Sequence, residues 1–369
     1  MSRDHALRLG FIALNDAATM IVAKARGYFE DEGLNVTLSR EVSWATVRDK
    51  IKVGALDGAH MLAPTALAVS LGVGGDEPTP LLAPFALNLN GPAITLSSHL
   101  AEVIGPNPTA EGLARLIARR RDEGASALTL AVVFGFSTHN YLLRDWLARS
   151  GIDPDRDVRL TVAPPSRMTE LLVGGVVEGF CVTEPWNAAA VAAGAGRIVL
   201  RASTLWPRAP DKVFAVTEAW AEANPERLQA ILRALLRAAA WADAPEHRPL
   251  LAELLSEPAH VGASVEVIGA SLTDIVYHAE GANVPEPIHG AWLAAQMMRW
   301  GHIPRDADVH ALAERVYRPD LLAIAAAALG RPTTPPLVVL NGYDPEASFR
   351  LDDAGRYARA VAETRTLED

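Results

Sequence analysis

Leu7-Arg8-Leu9-Gly10-Phe11-Ile12-Ala13-Leu14 reads as a buried β-strand, an apolar run of strand length broken by one charged residue. The chain then keeps switching period. Residues 17–29 (Ala17 to Phe29) carry helical spacing, 34–39 reads as a second strand, and Trp44 to Val53 as a helix. Asp57-Gly58-Ala59-His60 reads as a short strand, followed by a helix opened by Pro64. Alternation of this kind builds a parallel sheet covered by helices. Gly72-Val73-Gly74-Gly75-Asp76-Glu77-Pro78 is a loop by composition, and Leu81 to Leu87 and Ala93 to Leu96 read as strands flanking Asn88-Leu89-Asn90-Gly91-Pro92.

A second α/β set begins near Ser97. It runs through a helix (Leu113 to Glu123), a strand (Leu128 to Phe134), a helix (Thr138 to Arg149), a strand near Val158 to Val162 and a helix (Ser166 to Val173). Gly179 to Val182 is again a strand, with Pro185 in the first turn of the helix that follows. After Trp206-Pro207-Arg208-Ala209-Pro210, the strand Val213 to Val216 is expected to rejoin the first lobe. From Pro225 the pattern is helical and Ala-rich, and Arg331-Pro332-Thr333-Thr334-Pro335-Pro336 marks a loop before a short C-terminal piece. The expected fold class is α/β, a hinged clamshell of two lobes with a helical C-terminal region. Lobe I is expected from residues 1–96 plus 206–369, and lobe II from 97–205.

At 369 residues the chain suits two cores, and 50% hydrophobic residues are enough to fill them. No apolar run approaches the roughly 18 residues of a membrane span, so a soluble chain is expected. Met1 to Ala6 is too short and too polar for a secretory leader, which predicts a cytoplasmic protein. The formal net charge of −10 argues against a broad nucleic-acid-binding face, and any anion site must be a local positive feature. The single cysteine, Cys181, precludes an intramolecular disulfide, fits a reducing compartment and lies in a run that reads as core.

Four segments can hold a ligand at strand-to-helix junctions, where α/β folds place ligands. Ser43 is a candidate N-cap, and Trp44 in the first turn offers a flat face beside free backbone N–H groups. That combination suits a small planar anion; the alternative is a packing Trp beside an ordinary cap. His139 follows Ser137-Thr138 at a second helix start, where a neutral imidazole still offers one N–H donor; the alternative is a local cap or a solvent contact. Thr183 precedes Glu184-Pro185-Trp186-Asn187 and can offer a hydroxyl, whereas Glu184 is expected to orient neighbours rather than to touch an anion. Lys212 in Pro210-Asp211-Lys212-Val213 either enters the cleft as a counter-charge or is solvated at a strand edge. The histidines His247, His260, His278, His289 and His302 show no metal-ligand spacing, and neither a Walker loop nor GxSxG is present, so no cofactor is expected.

Taken together, Gly10 to Ala18, Ser43 to Asp49, Asp57 to His60, Asn88 to Ile94, Thr138-His139 and Glu184 to Asn187 resemble the nitrate- and bicarbonate-binding protein family of ABC importers over nearly the whole chain. The resemblance implies a type II periplasmic-binding-protein-like fold with an oxyanion between the lobes. Trp44, His139 and Lys212 match the family's ligand-binding Trp, His and Lys; Pro92 stands where importer proteins carry Gln, and Thr183 where they carry Gly. Lys212 points away from bicarbonate and calcium, because bicarbonate-type relatives carry an acid at that position. With the expected cytoplasmic location, the chain is similar to NasS-type nitrate/nitrite sensors, which hold an ANTAR-type RNA-binding antiterminator inactive until the anion arrives. Two alternatives stand beside this: the substrate-binding subunit of a nitrate-type importer, and an enzyme on the same fold like the pyrimidine-precursor synthases. The latter use a Cys-rich segment that has no counterpart here, so no enzymatic activity is expected.

Overall fold

The computed structural model describes residues 6–74, 76–106, 108–206, 208–331, 337, 339–344 and 347–364. Ten strands build the two lobes: β1 (Leu7–Ile12), β2 (Val36–Glu41), β3 (Gly58–Leu62), β4 (Leu81–Ala86), β5 (Pro92–Ser97), β6 (Thr129–Val132), β7 (Arg159–Val162), β8 (Gly179–Thr183), β9 (Gly196–Arg201) and β10 (Lys212–Thr217). They form two mixed five-stranded sheets, ordered β2-β1-β3-β10-β4 and β7-β6-β8-β5-β9.

The opening run forms β1 because both faces of the first sheet are covered. Leu7, Leu9 and Phe11 pack into one core with the helices Ala18–Ala25 and Pro225–Asp243, while Ile12 joins the core on the other face. β1 lies parallel between β2 and β3. As expected from the sequence, β10 returns to the first sheet, antiparallel between β3 and β4.

The chain crosses between the sheets twice, through residues 87–91 and 202–211, and the two crossings run side by side. Asn90 N–H donates to Ala209 O (2.7 Å), Ala209 N–H donates to the Asn90 side-chain oxygen (3.0 Å), and Leu89 bridges Pro210. Residues 92–96, assigned to lobe I from the sequence, pair with β8 and β9 and so belong to the second sheet.

Four further details differ from the sequence-based expectations. The helix expected over 17–29 is a 3-10 turn (Asn15–Ala17) followed by Ala18–Ala25 and Tyr28–Asp31, separated at Gly27, whose φ of 70° no helix accommodates. β9 was not anticipated, because an edge strand with largely half-exposed side chains lacks an apolar signature. Pro185 is the cap, and the helix begins at Trp186. A C-terminal hairpin, β11 (Val339–Asp344) and β12 (Ala347–Arg350), was also not anticipated; of the loop expected over 331–336, all but Arg331 lies outside the described residues.

The C-terminal helices wrap lobe I, and helix Pro287–Arg299 reaches the second lobe. Arg299 pairs with Asp145 (3.0 Å), and the Tyr141 hydroxyl meets His302 Nδ1 (2.9 Å). Among the described residues no helix is long and apolar enough to cross a membrane.

Candidate functional site

The parallel strands of both sheets end at the contact between the lobes. From the first lobe, the turn Asn15–Ala17 follows β1, and the helix Trp44–Lys52 follows β2. Ser43 caps that helix as expected, accepting the Thr46 N–H at 3.2 Å. The antiparallel β10 enters the sheet at this same edge, because Lys212 pairs with Leu62 at the end of β3. From the second lobe, β8 ends at Thr183, and β6 leads to the helix Thr138–Ala148, capped by Ser137, which accepts the Asn140 N–H at 3.1 Å.

Lys212 is the centre of the arrangement. Its ammonium is fully buried, 2.7 Å from Asp16 Oδ2, 2.6 Å from Asp211 Oδ2 and 3.1 Å from Thr183 Oγ1. It lies 5.6 Å from the centre of the Trp44 ring, a cation–π contact. The solvated alternative for Lys212 is therefore excluded by its burial. Trp44 packs edge-on against His60, with ring centres 5.1 Å apart, and its Nε1–H is buried without a hydrogen-bond partner among the described residues.

The protons in this network follow from its geometry. The Thr183 hydroxyl donates to Asp211 Oδ2 (2.7 Å), so its oxygen accepts from Lys212 and from His139 Nε2–H (2.7 Å). Burial and the Lys212 charge hold the His139 pKa well below the ordinary value, so the ring is neutral and Nδ1 is a buried acceptor with no partner among the described residues. The Ile12 N–H donates to His60 Nδ1 (3.4 Å), leaving the His60 proton on Nε2, 3.0 Å from Asp16 Oδ1.

The two carboxylates differ. Burial pushes Asp16 up, but Lys212 and His60 together outweigh it and hold Asp16 well below the usual carboxylate range. Asp211 is pushed up by burial, with the Asp16 charge adding to the rise and Lys212 opposing it.

Of the five residues singled out from sequence, Trp44, His139, Thr183 and Lys212 meet in one cluster drawn from both lobes. Pro92 adjoins it only through backbone pairing with Thr183, and borders a small apolar cavity with Leu142 and Cys181. Asp16, His60 and Asp211 were not singled out, although each is fully or nearly fully buried. A polar residue inside or beside an apolar run was the available signal, since such a group is kept in a core only with partners. Glu184 accepts from Arg201 and from the Ala188 N–H. Cys181 is buried, and burial pushes its thiol up, out of nucleophile range. No group of residues suited to hold a metal ion occurs among those described.

Two α/β lobes joined by paired crossings, with a charged cluster buried at their contact, define a two-lobed solute-binding-protein fold. A model of the NMT1-like family matches residues 2–256, and the chain belongs to that family. It is 34% identical over 347 residues to the nitrate/nitrite binding protein NrtA of Synechococcus elongatus, covering 88% of this chain and 78% of the relative. It is 37% identical over 343 residues to the nitrate import ATP-binding protein NrtC of Synechocystis, covering 88% of this chain and 50% of the relative. The chain thus spans about half the length of its NrtC relatives. The crystal structure of the periplasmic nitrate-binding protein NrtA from Synechocystis superposes with a TM-score of 0.89 at 29% identity, covering 96% of this chain and 98% of that one. The sulphonate-binding protein SsuA of Escherichia coli, at 17% identity and a TM-score of 0.60, shares the fold.

Proposed function

We propose that this protein binds nitrate or nitrite between its lobes. The observation that carries the reading is the buried Lys212, flanked by the Trp44 face and by His139 and Thr183 from the opposite lobe. A small planar oxyanion needs a counter-charge, an aromatic surface and edge donors; Lys212 is the cation, Trp44 the aromatic face, and the Trp44 Nε1–H a donor with no partner among the described residues. The names of the NrtA relatives support the same ligand.

For the output, we propose a cytoplasmic sensor that holds an ANTAR-type RNA-binding antiterminator and releases it when the lobes close on the anion. This rests on the resemblance of the sequence to NasS-type sensors. Physically it requires that anion and antiterminator prefer different lobe arrangements; each then weakens the other's binding by the same factor. A second reading, the ligand-binding part of a nitrate importer, is favoured by the import proteins among the relatives. Neither reading involves turnover.

Calorimetric titration with nitrate, nitrite, bicarbonate and sulfate tests the ligand. One-site binding of nitrate or nitrite, without binding of the other two, is expected; no binding of either would overturn the reading. For the output, a purified ANTAR-domain antiterminator is expected to co-elute with the protein and to separate on addition of nitrate. An association with membrane permease subunits in its place would favour the importer.

A further inference from the structure

The inter-lobe cluster holds two buried carboxylates and one buried ammonium. Asp16 and Asp211 both contact Lys212 Nζ, within 2.7 and 2.6 Å, and all three side chains are inaccessible to solvent. With both carboxylates ionised the cluster carries a net charge of −1 before any ligand arrives. A monovalent anion would bring it to −2 in a desolvated space, where even a single unbalanced charge is costly.

We propose that the site takes up one proton with each anion it binds, and that Asp211 is the group that receives it. The inference rests on the reading of the ligand as nitrate or nitrite. Geometry separates the two carboxylates. Asp16 has a nitrogen close to each oxygen, Lys212 Nζ at 2.7 Å on one and His60 Nε2 at 3.0 Å on the other, both as charge contacts without aligned hydrogen-bond geometry. Asp211 shares the same ammonium, gains only the Thr183 hydroxyl, and its Oδ1 is buried with no partner among the described residues. Neutralising Asp211 therefore loses less, and it frees the Lys212 charge for the incoming anion.

The network also offers a route. His139 Nε2, the Thr183 hydroxyl and Asp211 Oδ2 form a continuous chain at 2.7 Å per link. A proton arriving at His139 Nδ1 passes Nε2–H to Thr183, and Thr183 passes its own to Asp211. The balance is one proton added, Asp211 neutral, and His139 left as the Nδ1–H tautomer, with a new donor at the atom that lacked a partner.

Two other buried groups, Cys181 and Tyr277, do not supply this proton. Cys181 on β8 and Tyr277, whose hydroxyl donates to Asn15 O, are both pushed away from neutral pH by burial, toward their protonated forms. Glu286 and His289 line a small cavity that Asp211 and Lys212 also border; burial pushes Glu286 up to about 7 and His289 down to about 3.

The test uses the full chain and potassium nitrate, since nitrate stays ionised throughout pH 6 to 9. Proton uptake on mixing is read in weakly buffered solution with a pH indicator, and Kd is measured by titration at each pH. We expect uptake rising toward one proton per nitrate as the pH rises, with Kd weakening toward tenfold per pH unit. Asp211→Asn, an isosteric stand-in for the neutral carboxyl, should abolish the uptake and flatten the pH dependence. Nitrate binding with no proton exchange and one Kd across the range would overturn the inference while leaving the ligand reading intact. Uptake that persists in Asp211→Asn would overturn the assignment to Asp211. Failure of nitrate to bind at any pH would remove the ligand reading, and this inference with it.

Discussion

Lys212 carries more than ligand affinity. Its ammonium is the shared counter-charge of two buried carboxylates, so its removal strands both. Breaking a buried ion pair from one side costs about 3–5 kcal/mol. Lys212→Ala is accordingly expected to lower the unfolding free energy by about that amount at pH 7 and to weaken nitrate binding at least tenfold, about 1.4 kcal/mol. Urea denaturation and titration measure the two effects. A variant as stable as the parent would mean that the carboxylates find other partners. The lysine was legible in the sequence because its neighbours promised a buried strand; its two acidic partners were not. Asp16 lies about 200 residues away along the chain, and no local pattern shows that a turn after β1 and the start of β10 share a sheet edge.

Among the elements, the crossings decide how the lobes meet. Gly91 closes the first of them with φ at 104°, a conformation that residues with a Cβ rarely adopt. A Cβ there would lie 3.0 Å from Thr183 Cγ2 and 3.1 Å from Ile275 Cγ1, so strain would be passed directly to a site residue. Gly91→Ala is expected to cost about 1–3 kcal/mol in stability and to weaken anion binding, as judged by denaturation and titration. Unchanged binding would show that the crossing is not coupled to Thr183. Strand and helix identities were mostly readable, since buried strands announce themselves as apolar runs and the Ser43 and Ser137 caps mark helix starts. β9 and the β11–β12 hairpin were not. Edge strands and hairpins with half-wet faces are made by pairing with neighbours, which their own composition does not encode.

For the whole molecule, the C-terminal segment is tied back to the body where Glu286, at the head of helix Pro287–Arg299, accepts the Leu337 N–H at 2.6 Å. Burial raises the Glu286 pKa from 4.5 to about 7. Above pH 7 the folded protein holds this carboxylate charged and largely buried, a cost the unfolded chain does not bear; between pH 7 and 4.5 only the folded form takes up the proton, and the cost disappears. Glu286→Gln keeps an acceptor for Leu337 without the charge. It is expected to be more stable than the parent at pH 8, with the difference closing by about pH 4.5 in paired urea titrations. A constant difference across that range would show that the carboxyl titrates normally. The two-lobe architecture was the most legible level, because alternating strand and helix with a late returning strand leaves few ways to close two sheets. The point of crossing was less so: β5 looks like any buried strand, and only its partners assign it to the second sheet.

That late return of β10 also sets an order of events during translation. The second sheet is complete once residue 201 has left the ribosome, whereas β3 and β4 are still without the strand that lies between them. Domains tend to fold as units as they emerge. The middle of this chain is therefore in a position to fold before its beginning, and the N-terminal strands stay open to the cell's chaperones until the ribosome has moved past Thr217.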